Sequence, residues 1–482
     1  MEGQQSSYSD VKRKVKILLV NPLTSVQSGF QKYSVFPYGI LFLAAVLEKA
    51  NYQVKIYDNN IDDRKPEDFI SFNPDLIGFS VITGRSITGA INQSIKFKKI
   101  LPKAKIVWGG IHPSLLPEQT IIEPYIDYVI IGEGEYTLLE LCQYLDNGNV
   151  KLENIKGLEY KENDKIIINE ARPFIKDLNE LPDPAWHLVD VKKYNGITLN
   201  TSRGCPFRCT FCYNQAFNKG RRGDFPAQRI VSWIRFFQNR YGVTTFKFYE
   251  DNFTINRKRL REFRNLIIQE NLKIKWECES RVDLKEEEIV LMAKSGCYAI
   301  GLGVESGSPR ILKFLQKGIK PEDVKRTFKL LAKHDIGPGL YVMAGLPTET
   351  VEDFKMTLQL VKRLRYRWCE YMIYRPYPGT VLYNYCVDNN LFKPPEKLAD
   401  WVNFCDLYDA KNNLSNVPAN LLQKELNKFK KRYIWTGILF SLKHRPLRAL
   451  SKLLNPYKII EISSNIIRHY KAFFIDRKRQ KK

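Results

Sequence analysis

The 482-residue chain contains no stretch of about eighteen consecutive apolar residues, so no membrane-spanning helix is expected. Its first ten residues are polar and carry no apolar core segment, so no signal peptide is expected either. There are nine cysteines. Six of them (Cys142, Cys278, Cys297, Cys369, Cys386, Cys405) are scattered, unlike the disulfide framework of a small secreted protein. Paired C-x2-C units are missing, and only five histidines occur in the whole chain. A structural zinc site therefore lacks its second half. No G-x-G-x-x-G follows the first apolar run, which removes the usual dinucleotide fingerprint.

Three cysteines do stand together. Cys205, Cys209 and Cys212 lie at a C-x3-C-x2-C spacing, and the next cysteine is Cys278. Three thiolates at this spacing can hold three irons of a [4Fe–4S] cube. The fourth iron then stays open to bind and activate a ligand. A structural zinc site or chance clustering is the alternative, and the absence of a second ligand pair counts against it.

A length of 482 residues and 44% hydrophobic residues allow two or three domains with buried cores. The net charge of +24 is uneven. Leu421–Lys482 holds 17 Lys/Arg against 3 Asp/Glu, so the excess is largely a property of the C-terminal tail.

From Lys14 to about Leu145, apolar runs alternate with helical patterns. The runs at Lys14–Val20, Gln53–Tyr57, Leu76–Ser80, Lys105–Trp108 and Tyr128–Ile131 read as buried strands. That rhythm implies a parallel, doubly wound sheet, whose ligands sit outside the carboxyl ends of the strands. The loops there are small and polar: Asn21-Pro22, Ser80–Thr83, Gly109–Pro113 and Gly132–Glu135. Residues 146–195 read as a linker, with a proline-punctuated connector at Leu181–Trp186. Trp186 in it is expected to pack. From Gly196 a second strand–helix rhythm follows, at Thr198–Thr201, Phe246–Tyr249, Lys273–Glu277, Ala299–Leu302, Gly339–Met343 and Tyr371–Tyr374. Six such strands suggest an incomplete (β/α)6 barrel, with its site at the strand C-termini.

The Cys205–Cys212 stretch, with Phe211 before the last cysteine, resembles the signature of the radical S-adenosylmethionine (SAM) enzymes. Gly301–Gly307 resembles their G-x-E-S-G segment, and Gly345–Thr350 their G-x-P-x-E-T turn. The N-terminal half resembles the cobalamin-binding domain that precedes the catalytic domain in many of them. The resemblance rests on Pro37-Tyr38-Gly39, Ser80-x-Ile82, Gly109-Gly110 and Gly132–Glu135. One departure is clear: the D-x-H-x-x-G loop of many cobalamin domains reads Asn21–Val26 here and has no histidine. His112 is the only histidine in this half, and it is read as a loop residue near the ligand rather than a cobalt ligand.

This resemblance implies the following expectations. The fold is α/β: residues 1–13 a disordered N-terminus, 14–145 a Rossmann-like cobalamin-binding domain, 146–195 a linker, 196–378 a partial radical SAM barrel, 379–482 a basic helical region. The cofactors are a [4Fe–4S] cluster, SAM and methylcobalamin. Cys205, Cys209 and Cys212 are the catalytic metal ligands. Phe211, Glu250, Asp251, Glu279, Ser280, Arg281 and Glu305 serve SAM; Asn21, Ser80, Gly109, Gly110, Gly132 and Glu133 serve cobalamin. Cys278 and Cys297 belong to the core, and packing is the expected role of Tyr341 and Tyr374. The reaction is methyl transfer to an unactivated carbon of a hydrophobic or lipid-like substrate through a 5′-deoxyadenosyl radical. The alternative is a cyclase or rearrangement enzyme of the same build.

Partners implied are a small-molecule or lipid substrate and an electron donor such as ferredoxin or flavodoxin, in the cytoplasm. The basic tail fits a peripheral membrane contact, RNA binding or a solvated cap on the barrel, with nucleic acid the least expected. Methylthiotransferases of this superfamily carry three more cluster cysteines upstream, whereas only Cys142 precedes Cys205 here. A sensor with a vestigial barrel is disfavoured by the intact cysteine triad together with Glu250, Arg281 and Glu305.

Overall fold

A computed structural model of the protein describes residues 14–24, 35–163, 165–405 and 407–429. The N-terminal sheet has seven strands: β1 (Lys16–Asn21), β2 (Gln53–Asp58), β3 (Leu76–Ser80), β4 (Lys105–Gly109), β5 (Tyr128–Ile130), β6 (Leu158–Glu162) and β7 (Lys165–Ile168). They lie side by side in the order β2-β1-β3-β4-β5-β6-β7. The first five are mutually parallel. β1 is apolar and buried along its middle, as a strand covered by helices on both faces must be. The order reverses between β1 and β3, and the C-terminal ends of these strands diverge there into a crevice.

β6 and β7 correct the linker expectation. They pair antiparallel and extend the sheet from within residues 146–195. The turn between them uses Asn163 at φ +46°, a conformation asparagine tolerates. Charged residues interrupt both strands, which sets their short apolar runs within polar sequence.

The second sheet is a parallel fan, β8 (Ile197–Leu199), β11 (Thr245–Phe248), β12 (Lys275–Arg281), β13 (Cys297–Glu305), β14 (Gly337–Ala344) and β15 (Trp368–Ile373), each strand beside the next. The short antiparallel pair β9 (Ser202–Gly204) and β10 (Arg222–Asp224) brackets the cysteine loop. The strands run longer than expected. Glu279, Ser280, Arg281 and Glu305 are therefore strand residues, not residues of the loops beyond.

One continuous apolar cluster joins the halves. Phe42, on helix Tyr38–Lys49, stacks on Phe225 of the barrel with ring centroids 5.5 Å apart. Trp186 packs on Trp233, Phe236 and Phe237 of helix Ala227–Tyr241, as packing required. Full burial of a phenylalanine such as Phe42, Phe225 or Phe237 contributes roughly 1.5–3 kcal/mol. The shared core fixes the crevice of the first sheet against the mouth of the second.

The C-terminal region does not simply cap the barrel. Leu398, Trp401 and Phe404 return to the N-terminal sheet and join the cluster around Trp108. The Trp401 indole donates to Gln119 Oε1 at 2.7 Å. Helical residues 419–429 return to the barrel, where Phe429 stacks on Tyr371 at 4.9 Å. The expectations for residues 1–13 and for the basic tail, 430–482, lie outside the described residues.

Candidate active site

The crevice at the C-terminal edge of the first sheet opens into a cleft roofed by the barrel. Ser80, Gly109, Gly110, Gly132 and Glu133 line it, as do Asn200, Arg203, Tyr213 and Asp251 from the catalytic half. Gly110 adopts φ +101°, and a Cβ there would stand 2.8 Å from the Val81 carbonyl oxygen. Gly132 adopts φ +81°, and a Cβ would meet nothing within 4 Å. This wall is backbone, which lets a broad flat ligand approach closely. Its chemistry fits a corrin ring.

Asn21 is not on this wall. Its amide donates to Asp58 Oδ1 at 2.9 Å, in a buried network that also ties Asn60 and Tyr194 to Asp58. β2 ends beside β1, so its terminal carboxylate captures the asparagine. His112 is absent from the cleft lining too. It is fully buried, hydrogen-bonds Thr83 Oγ1 at 3.2 Å and meets the Trp401 ring edge-on. Burial lowers its pKa to about 4.

The cysteine loop is pinned by backbone. Thr210 N–H donates to Leu315 and its carbonyl accepts from Leu382 N–H. All three thiols are free of disulfides. Arg281 Nη1 stands 3.9 Å from Cys209 Sγ, and Asn214 Nδ2 3.8 Å from Cys212 Sγ. Such donors stabilise thiolate charge. Burial pushes the Cys205 thiol up and that of Cys212 to about 12. Among the described residues no three His, Cys, Asp or Glu side chains converge on one ion. A cube asks for something else, since each thiolate binds a different iron and the sulfurs stand further apart. The triad fits that group.

Beyond the loop, the barrel strands end in paired charges. Arg281 stacks on Phe207 at 3.8 Å and donates to the Lys317 carbonyl at 2.6 Å. Lys317 Nζ pairs with Glu305 Oε1 at 2.7 Å, both buried, and stands 5.9 Å from the Phe211 ring. Glu305 sits at φ +62°, a strained position of the sort found at functional sites. Glu279 faces Lys247 at 3.3 Å, and burial raises its carboxyl. A Cβ on Gly301 would fall 1.9 Å from Glu279 Oε2, so glycine makes the space this carboxylate fills. Ser280 bonds Thr254 at 2.5 Å.

Glu250 differs from its expected place. It accepts from Thr201 N–H at 3.0 Å, Thr201 Oγ1 at 2.5 Å and Arg259 at 2.8 Å. Burial opposes its ionisation, but Arg259 and Arg222 outweigh burial and hold its pKa below the usual carboxylate range. It holds β8 to β11 and leaves no oxygen for a ligand. Its neighbour Asp251 opens on the cleft, where it accepts from Tyr213 OH at 2.9 Å. Enclosure by protein raises the Asp251 carboxyl.

Glu349 also turns inward. One of its oxygens accepts from Gly345 N–H at 2.8 Å, so the Gly345–Thr350 segment is held as a turn. Tyr374 is buried, whereas Tyr341 is half-buried beside Glu279. Sequence reasoning passed over Arg203, Tyr213 and Glu135 in the cleft. Arg203 and Tyr213 flank the cysteine loop directly, and Glu135 ends the Gly132–Glu135 run already singled out.

Comparison with known proteins agrees with this arrangement. Residues 199–361 match the radical SAM superfamily and residues 31–142 the B12 binding domain. An uncharacterized methyltransferase of Pyrococcus horikoshii is 35% identical over 78% of this chain and 84% of its own. The chain belongs to the B12-binding radical SAM family. It is an enzyme whose cofactors are a [4Fe–4S] cluster, SAM and cobalamin. The cytidylyl-2-hydroxyethylphosphonate methyltransferase of Streptomyces wedmorensis is 27% identical over 82% of this chain and 86% of its own. The fold matches that of OxsB with aqua-cobalamin and S-adenosylmethionine bound, at a TM-score of 0.71. That match has 19% identity and covers 95% of this chain and 71% of OxsB.

Proposed function

We propose that the enzyme methylates an unactivated carbon of a small hydrophobic or lipid-like molecule held between the cleft and the cysteine loop. The observation that carries this is the shared cleft. Ser80, Gly109 and Gly132 of the sheet and Tyr213 and Asp251 of the barrel line one space. When bound, SAM on the cluster supplies hydrogen-atom abstraction, and cobalamin supplies the methyl group. In this reading Cys205, Cys209 and Cys212 hold the cluster, and Arg281 and Asn214 donate toward its sulfurs. Arg281, Glu279, Ser280 and Glu305 bind SAM. Asp251 rather than Glu250 is the carboxylate of β11's end that meets a ligand, because Glu250 is already saturated. The backbone at Gly109, Gly110 and Gly132 cradles the corrin. Apolar side chains such as Phe42, Phe79 and Phe217 line the cleft and exclude water around the reacting carbon.

The required electron comes from a protein donor such as ferredoxin or flavodoxin, for which exposed Arg208 at the tip of the cysteine loop offers a contact. No helix among the described residues is long and apolar enough to cross a membrane. Any peripheral contact is assigned to the tail beyond Phe429.

Anaerobic turnover with methyl-labelled SAM tests the reaction. Label in a product heavier by one CH2 is expected. Deoxyadenosine with an unlabelled product would overturn methyl transfer and leave the cyclase reading.

A further inference from the structure

Arg203 is a strongly charged group of the cleft that no reading of the cofactors has used. It lies on β9, two residues before Cys205, and so belongs to the strand that feeds the cysteine loop. Its guanidinium does not stay in the barrel. Nη1 donates to Glu133 Oε1 at 2.9 Å and Nη2 to Glu135 Oε1 at 2.6 Å. Both acids sit where β5 turns into helix Glu135–Asn147 of the other domain. The guanidinium also lies 5.1 Å from the centre of the Phe42 ring. The second oxygen of Glu133 accepts from Ile175 N–H at 2.6 Å, which adds the connector to the same knot. A planar fork that spans two carboxylates fixes direction as well as distance, which a lysine does not. The pairs are largely buried, with side-chain exposures of 20% for Arg203 and 10% and 4% for the two acids. Solvent screening is therefore weak.

The base of this fork is rigid. Gly204, next in the chain, adopts φ +77°, and a Cβ there would stand 2.2 Å from the Arg221 carbonyl oxygen. β9 is thus pressed against the Arg221–Arg222 segment, and the fork cannot swing away without moving the strand. One end of the rigid unit is the Gly132–Glu135 wall of the cleft. The other is Cys205.

We propose that Arg203, clamped by Glu133 and Glu135, is a positioning residue that sets the separation and tilt of the cobalamin relative to the cluster. This rests on the cofactor assignment above, that a corrin occupies the cleft. Glu133 in this role is a partner of Arg203 rather than a direct cobalamin ligand, because both its oxygens are already engaged.

The test uses the full chain, reconstituted anaerobically with iron, sulfide and hydroxocobalamin. Pulsed dipolar EPR between the reduced cluster and cob(II)alamin reads their distance distribution, and absorbance titration reads cobalamin affinity. Arg203→Gln should broaden the distribution and weaken cobalamin affinity about tenfold. Arg203→Lys should not restore the narrow distribution, since it keeps the charge and loses the fork. Glu135→Gln should broaden it less, with Glu133 still in place. A distribution and affinity like those of the wild type in Arg203→Gln would overturn the proposal. If the Arg203 variants fail to fold, Glu135→Gln decides in the same way. If the wild-type chain with a full cluster binds no cobalamin, the cofactor assignment falls and the proposal with it. That outcome is distinct because it appears without any substitution.

Discussion

The cleft wall of the first sheet and the strand ends of the barrel are built of different materials. On the sheet side the wall is glycine and main chain at Gly78, Gly109, Gly110 and Gly132. On the barrel side the strand ends carry charges matched in pairs: Glu305 with Lys317, Glu250 with Arg259, Glu279 with Lys247. A wall of backbone selects by shape and tolerates a large flat ligand. A rim of paired charges selects by chemistry, because an ionic ligand must displace or join a pair held in low dielectric. Buried carboxylates show the same contrast. Glu250 accepts from three donors within the barrel, whereas Glu159, on β6 of the sheet, is fully buried with neither oxygen hydrogen-bonded.

The largest expected effect strikes the rim alone. Cys209→Ser should abolish SAM cleavage, read as deoxyadenosine, and lower iron content. Cobalamin binding by the cleft should survive, and its loss would show that the two sites do not form separately. Next, Gly110→Val should weaken cobalamin affinity at least about a hundredfold, because the side chain meets the Val81 carbonyl in a backbone region closed to β-branched residues. Retained affinity in an absorbance titration would mean that shape does not govern this wall.

A smaller effect is expected within the barrel. Glu250→Gln should destabilise the fold by about 1–3 kcal/mol at pH 7 in urea denaturation, since it leaves buried Arg259 with Asp224 as its one remaining carboxylate partner. The pKa of Glu250 is lower folded than unfolded, so its contribution is present above the ordinary carboxylate range and is lost as pH falls. The variant and wild type should therefore converge in acid. The smallest effect has the opposite sign. Burial first, and the Glu118 charge second, raise the Glu159 pKa to about 7. The folded state then holds a proton that the unfolded state has released, and stability falls as pH rises from about 4.5 to 7. Glu159→Gln should remove that slope and stabilise the protein by about 1–3 kcal/mol at pH 8. A urea midpoint unchanged between the two proteins at pH 8 would show that Glu159 is not held in a poor environment.

Much of this architecture was legible in advance because it rests on local signals. Apolar runs with helical patterns between them mark all eleven strands of the two parallel arrays within a few residues. The hairpin β6–β7 escaped because charged residues, Glu159, Lys161, Glu162 and Lys165, interrupt its short apolar runs. Among the cofactor residues, Ser80, Gly109, Gly110, Gly132 and Glu133 do line one cleft. Asn21 and Glu250 do not, because each is captured by a partner distant in sequence, Asp58 for the one and Thr201, together with the nearer Arg259, for the other. Asn21 and Asp58 are 37 residues apart, and no spacing rule connects them.

The sequence by itself determined the chemistry of the cysteine triad, the two strand–helix rhythms and the glycine turns. Each depends on residue type at short spacing, where covalent geometry leaves few choices. Only the tertiary structure decided which carboxylates remain available. It spent Glu250 on Thr201 and Arg259, turned Asp251 to the cleft and tied Arg203 across to Glu133 and Glu135. The reason is that a buried charge must find a counter-charge wherever the fold brings one, and that meeting is set by packing between distant segments rather than by neighbours in the chain.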